Sequence, residues 1–230
     1  MRHTIHRTEV GGKRGNRRRL RGWFQPLLRN EKEVWPKVLW LDVVDLVRRL
    51  RPNDQVAVVR YFTAILKNEP AASQRQEDYL AAMRARNDCL VAIHLGRFKS
   101  RTISWCRRCR QPYLCGCLVE YQSWEEKETD VALGAMMVAD ASLAVADTTM
   151  VISADTDLAP ALDAVRLVAP SQRIYLALPP GNTGPSRHLV GSGNIGSFFI
   201  RESVLNHAQM PSAVTDPADG QIYRRPEKWR

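Results

Sequence analysis

The chain has 230 residues and a mass of 26.1 kDa, which suits one sizeable domain with a small appendage. Its 44% hydrophobic and 25% charged residues exclude a wholly disordered chain, and no apolar run approaches the roughly 18 residues of a membrane span. The net charge of +10 points to nucleic acid, but residues 1–37 hold 11 Lys+Arg against 3 Asp+Glu and the rest is close to neutral.

Residues 1–37 lack the apolar core of a secretory leader, so the expected location is the cytoplasm, with no membrane partner. The expected organisation is a basic segment over 1–40, a domain over 41–205 and a C-terminal extension over 206–230. Leu41 to Leu50 has helical spacing of apolar positions and stops before Pro52. Gln55 to Ala64 is β-branched and aromatic, a buried strand. Ser73 to Arg86 opens on a Ser cap and reads as an amphipathic helix. Cys89 to Phe98 reads as another strand, with Cys89 and His94 as core residues, and 99–124 as a cysteine-containing loop. Asp130 to Val145 is apolar nearly all round, as in a helix buried between layers. Thr149 to Ser153 is a short strand, Leu158 to Val168 a helix and Arg173 to Leu178 a further strand. Gly191 to Gly196 mimics a glycine-rich phosphate loop, but no convincing strand leads into it, so it is read as a plain loop. From Met210 the chain is polar and expected to wrap the surface. Strand–helix alternation with short apolar strands predicts an α/β fold with a mainly parallel sheet, whose ligands gather at the carboxyl ends of the strands.

Two features bear chemistry. The first is Ser153-Ala-Asp155-Thr-Asp157, where a strand gives way to a helix. Two carboxylates two residues apart at a strand end can share one cleft and hold a hard divalent cation through oxygen. An Asp in that position also caps a following helix, and alone that would be the first explanation. Asp130, at the first turn of the preceding helix, adds a third carboxylate, although the helix dipole equally favours an acid there. The second feature is Cys106, Cys109, Cys115 and Cys117. Four thiolates can bind Zn2+ tetrahedrally, and the first pair has knuckle spacing; free thiols on a surface loop account for them as well.

The segments WEEKETDVALGAMMVADA (Trp124 to Ala141) and VISADTDLAPALDAVR (Val151 to Arg166) resemble the NYN-domain family, the LabA-like branch of the PIN-like ribonucleases. VRYFTA (Val59 to Ala64), RQEDYLAAM (Arg75 to Met83) and the closing RPEKW (Arg225 to Trp229) extend the resemblance over about residues 38 to 230. It implies a three-layer α/β/α PIN-like fold and a metal-dependent endoribonuclease acting on RNA with Mg2+ or Mn2+. The family's acidic site falls on Asp130, Asp155 and Asp157, as catalytic residues and metal ligands, with Ser153 and Lys127 as substrate neighbours. An incomplete site would leave a non-catalytic RNA-binding or protein-interaction module. A nucleotide-sugar transferase using Asp155-Thr-Asp157 is a remoter class, since no donor domain is recognisable.

The family pattern has one further Asp, closing the first strand in a motif like Asp-Gly-Phe-Asn-Leu-Tyr-Tyr-Gly. This chain reads RGNRRRLRGWFQPLLRNEKEVW there, from Arg14 to Trp35, so its first strand is expected to be missing or disrupted. Asp42 and Asp45 are poor substitutes and read as surface or capping residues. Read one base later, the codons of Gly22 to Asn30 permit that motif in order, and those of Asn16 to Arg21 permit Ile-Val-Val-Val-Tyr-Val. The segment before about Trp40 is therefore read as frameshifted; an authentic basic, disordered tail that binds RNA is the alternative.

Overall fold

The computed structural model describes residues 18–24, 38–67, 69–103, 109, 121–182, 184–191 and 195–229. Six strands build one parallel sheet: β1 (Arg19–Phe24), β2 (Gln55–Thr63), β3 (Val91–Leu95), β6 (Thr148–Ile152), β7 (Arg173–Leu178) and β8 (Ile195–Phe199), in the order β3-β2-β1-β6-β7-β8. Between β3 and β6 the chain makes an antiparallel ribbon of β4 (Arg97–Ile103) and β5 (Tyr121–Lys127). The helices are α1 (Val43–Leu50), α2 (Pro70–Asn87), α3 (Thr129–Ser142), α4 (Ala159–Val168), α5 (Arg187–Val190) and α6 (Glu202–His207). A short hairpin, β9 (Ala213–Thr215) with β10 (Ile222–Arg224), completes the chain.

Alternation along the strands divides the core into two layers. Met150 and Ile152 of β6, with Val59 and Tyr61 of β2, pack with α1, α2 and the C-terminal residues Met210 and Val214. Val151, Phe62, Ile174 and Leu176 pack on the opposite face with Leu133 and Met137 of α3 and Leu162 and Val165 of α4. This is a three-layer α/β/α arrangement. β6 is buried at every position, as a central parallel strand covered on both faces must be.

The first strand is present. Arg19–Phe24 sits centrally, parallel to both β2 and β6, and a register shift between Leu20 and Arg21 interrupts its ladder with β2. Charged residues hide this strand from a hydrophobicity reading, because a central parallel strand normally reads as one apolar run.

Other boundaries and environments differ from expectation. Residues 99–103 and 121–124 are ribbon rather than loop, and Gly196 lies inside β8, where Tyr175 covers the place a Cβ would take (2.8 Å). Cys89 is exposed on a 3-10 turn instead of buried on a strand. The Ser73 hydroxyl does not cap α2, which starts at Pro70; it donates to the Leu66 carbonyl at 2.6 Å. α3 is not buried all round: Val131 is 77% exposed. The stretch from Met210 is anchored rather than loosely draped, with Met210 and Val214 buried and the Trp40 indole donating to the Pro211 carbonyl at 2.7 Å. Asp42 is a buried cap: one oxygen accepts from the amides of Val44 and Asp45, and Arg86 pairs with the other at 2.6 Å. Asp45 pairs with Arg49 one turn along α1.

Candidate active site

The strand order fixes where a ligand belongs. From β1 the chain steps outward through β2 and β3 on one side, and later through β6, β7 and β8 on the other. The order therefore reverses between β1 and β6, and their carboxyl ends flank the crevice where open parallel sheets bind ligands. Ser153 to Asp157 leaves β6 at this point.

Locally these residues form a tight turn. The Ser153 hydroxyl, buried, accepts from the Asp155 amide at 3.1 Å, and the Asp155 carboxylate accepts from the Asp157 amide at 3.1 Å. Asp155 thus caps the 3-10 turn Thr156–Leu158 that leads into α4, while Asp157 is exposed. Capping and site placement coexist here: one oxygen of Asp155 holds the turn, and the turn presents Asp157.

Asp130 arrives from α3 by a helix–helix approach. A Cβ placed on Gly134 would lie 3.2 Å from the Ala161 Cβ, so glycine lets α3 run close beside α4. Asp130 stands four residues before Gly134, and Asp157 four before Ala161. Both acids therefore lie about one turn back from the same crossing. The start of α3 is fixed at the same end of the sheet, because Gly96, just after β3, lies against Thr129: a Cβ there would be 2.6 Å from the Thr129 hydroxyl and 2.7 Å from the Lys127 carbonyl. The Thr129 hydroxyl also donates to Glu126. Lys127 ends β5 and pairs with Glu125 at 2.7 Å.

These donors are all oxygens, the set a hard divalent cation takes. Among the described residues no group of three or more His, Cys, Asp or Glu stands together in a way that could hold a metal. The residues present thus fit a hard cation in chemical kind and supply a partial set in number. The cysteine cluster lies outside the described residues except for Cys109, which is half-buried at a turn.

Two further groups of side chains border this end of the sheet, and of them only Lys127 was singled out by sequence. Asp163, Arg187 and His188 line a hollow of about 360 Å3 between α4 and α5. Arg97, Lys99 and Lys127 line another, of about 490 Å3, between the ribbon and α3. Behind α3, Arg60 of β2 forms a bidentate ion pair with Asp140 and donates to His94 of β3 at 3.1 Å. His94 stacks on Phe62 with ring centres 4.6 Å apart. Burial, and then the Arg60 charge, push the His94 pKa down; Asp140 pulls the other way. His94 is therefore a satisfied structural residue of the half-buried interior.

No protein-family profile matches the chain. It is similar to 6-hydroxy-3-succinoylpyridine 3-monooxygenase HspA of Pseudomonas putida (strain DSM 28022 / S16), at 27% identity over 205 residues covering 84% of this chain. The match spans 64% of that relative, less than two thirds of its length. Among solved structures, a protein of unknown function from Vibrio parahaemolyticus RIMD 2210633 matches with a TM-score of 0.48 and 13% identity, over 83% of this chain and 98% of that one.

Proposed function

We propose that this protein is a metal-dependent endoribonuclease of the NYN type, hydrolysing RNA phosphodiester bonds at the crevice between β1 and β6. What supports the reading is that Asp155 and Asp157 follow β6 at the strand-order reversal, and that Asp130 lies in the first turn of α3, the helix that packs closely on α4 at Gly134 and Ala161. Asp130, Asp155 and Asp157 are the residues that would hold Mg2+ or Mn2+. Such an ion, when bound, supplies positive charge against the phosphate and lowers the pKa of a coordinated water. Ser153 keeps the acidic turn in shape by accepting from the Asp155 amide. Lys127, at the ribbon root, offers a cation to the RNA backbone next to the acids. Four thiolates in the sequence between β4 and β5, Cys106, Cys109, Cys115 and Cys117, would take a structural Zn2+. We place the protein in the cytoplasm on its cysteine usage; among the described residues no helix is long and apolar enough to cross a membrane.

A second reading has its own support. The carboxyl end of β1 reads Gly22-Trp23-Phe24, with no acid among these residues, and the described donor set is partial. A chain in this state is an NYN-fold RNA-binding or protein-interaction module without catalysis. The two readings separate in one assay: labelled RNA incubated with the full chain and Mg2+ or Mn2+, alongside Asp155→Asn and Asp157→Asn. Cleavage that both variants lose supports the nuclease; binding without cleavage supports the module. The oxygenation named for the Pseudomonas relative is checked in parallel, and consumption of 6-hydroxy-3-succinoylpyridine without RNA cleavage would replace both readings.

A further inference from the structure

The hollow between the ribbon and α3 has walls of two different kinds. In an antiparallel ladder, directly opposed residues share a face, and here Arg97 opposes Lys127 while Lys99 opposes Glu125. Arg97, Lys99 and Lys127 line the hollow with the acid Glu128, and Glu125 shares their ribbon face, which among the described residues leaves Lys99 as the cation without an ion pair to either acid. Ion pairs from Arg97 to Glu128 (2.6 Å) and from Lys127 to Glu125 (2.7 Å) hold two of these cations in position. The root of the ribbon packs directly on the start of α3, because a Cβ at Gly96 would lie 2.6 Å from the Thr129 hydroxyl.

The floor is apolar. It is the outer face of α3, with Val131 77% exposed and Ala135 exposed one turn on. Val131 directly follows Asp130, so this hollow adjoins the acidic site. An occupant must bring negative charge to the ribbon wall and flat apolar surface to the floor. A single-stranded nucleic acid brings both, phosphates along one edge and unstacked bases along the other. A duplex turns its base faces inward and would leave Val131 and Ala135 uncovered.

We propose that the ribbon hollow is a strand-binding subsite: it seats the single-stranded RNA flanking the scissile phosphate, with the backbone along Arg97 and Lys99 and a base over Val131 and Ala135. The proposal rests on the nuclease reading for its substrate, but its test is separable from that reading.

The test is fluorescence-anisotropy titration of a labelled oligouridylate into the full chain without divalent cation, and of the same strand annealed to oligoadenylate. The basic N-terminal residues are present in every variant, so their contribution cancels in the comparison. Lys99→Glu and Val131→Glu each weaken single-strand binding by about tenfold or more. Lys228→Glu, on the C-terminal 3-10 turn, leaves it unchanged, and the duplex binds more weakly than the single strand. Circular dichroism matching the parent shows that these surface variants are folded. Unaltered binding by both hollow variants, or equal affinity for duplex and single strand, overturns the subsite. A second copy of the chain as occupant, seen as self-association that Val131→Glu abolishes while RNA binding persists, overturns it too. If the hollow variants lose binding but the parent never cleaves RNA with Mg2+ or Mn2+, the subsite stands and the nuclease reading falls. If Asp155→Asn loses cleavage while both hollow variants bind normally, the reverse holds.

Discussion

Arg60 and Asp140 join the sheet to α3 through two parallel hydrogen bonds, Nε to one carboxylate oxygen at 2.8 Å and Nη2 to the other at 3.0 Å. The Asp140 side chain is only 7% exposed and that of Arg60 17%, so neither charge is well screened by water. Removing one partner strands the other in the interior, which typically costs about 3–5 kcal/mol; replacing both with apolar residues of similar size is often near neutral. Asp140→Leu should therefore lower the urea midpoint sharply, and Arg60→Met with Asp140→Leu should recover most of the loss. A double variant as unstable as the single one would show that the pair positions α3 in a way packing cannot replace.

His94 makes stability depend on pH in a defined direction. It accepts from the Arg60 guanidinium through Nε2, which requires a neutral ring, and its pKa is lowered by burial first and by the Arg60 charge second. Asp140, which faces the same guanidinium, pulls it back only in part. In the unfolded chain the ring titrates near about 6.5. Between that value and the lower folded one the unfolded state binds the extra proton, so stability falls as pH drops through this window. Above the unfolded value this contribution is level. Thermal melts from neutral to mildly acidic pH should show the fall, and His94→Gln should flatten it. An equal slope in the variant would assign the acid sensitivity to other groups.

Much of the fold was legible because its signals are local. β7 matches Arg173 to Leu178 residue for residue, and α4 and β6 agree to within one residue at each end, since apolar runs bounded by turns leave little choice. Asp155 and Asp157 were legible for the same reason: the strand end and the helix start are both written nearby. What escaped was long-range. β4 and β5 stabilise each other across a 17-residue connection, and neither has an apolar face of its own. β8 hides behind its glycines and shows only in its pairing with β7. The hollow beside Val131 needed the ribbon and helix placed together before its cations and apolar floor met.

Gly134 ties packing to the candidate site. Alanine there would gain about 1 kcal/mol of helix propensity, while its Cβ would meet Ala161 at 3.2 Å, closer than ordinary contact. The two effects oppose each other, and Gly134→Ala should be close to neutral in stability. Gly134→Leu has no such balance: overpacking of this kind costs about 1–3 kcal/mol and drives α3 from α4. It should also separate Asp130 from Asp157, lowering RNA cleavage more than RNA binding. Ala139→Leu, on the exposed face of α3, should leave both readouts unchanged. Equal losses in the two leucine variants would mean that the α3–α4 spacing does not set the site.

The first strand gives a prediction that needs only the gene. In the present register Gly22 faces the layer of α1, where a Cβ would lie 2.9 Å from a Val47 methyl and 3.4 Å from one of Val59. An Asp at that position would be buried among valines, not delivered to the crevice. The shifted reading of Asn16 to Arg21 supplies six consecutive apolar residues, and Arg19–Phe24 fills six ladder positions. Sliding the former into the places of the latter is a three-residue slip, which carries the Asp from position 22 to the level of position 25. Phe24 pairs with Ile152, so that level is opposite Ser153, at the reversal point and beside Asp155. The idea requires particular codons: GGA for Gly22, TTT for Phe24, CAA for Gln25 and CCT for Pro26. Other codons at these places end it. If they are present, a chain expressed from the restored frame should melt higher than this one, because an apolar strand replaces a charged one in the middle of the sheet. Its Mg2+- or Mn2+-dependent RNA cleavage should rise with the added carboxylate, and substituting that Asp with Asn should return cleavage to the level of the present chain.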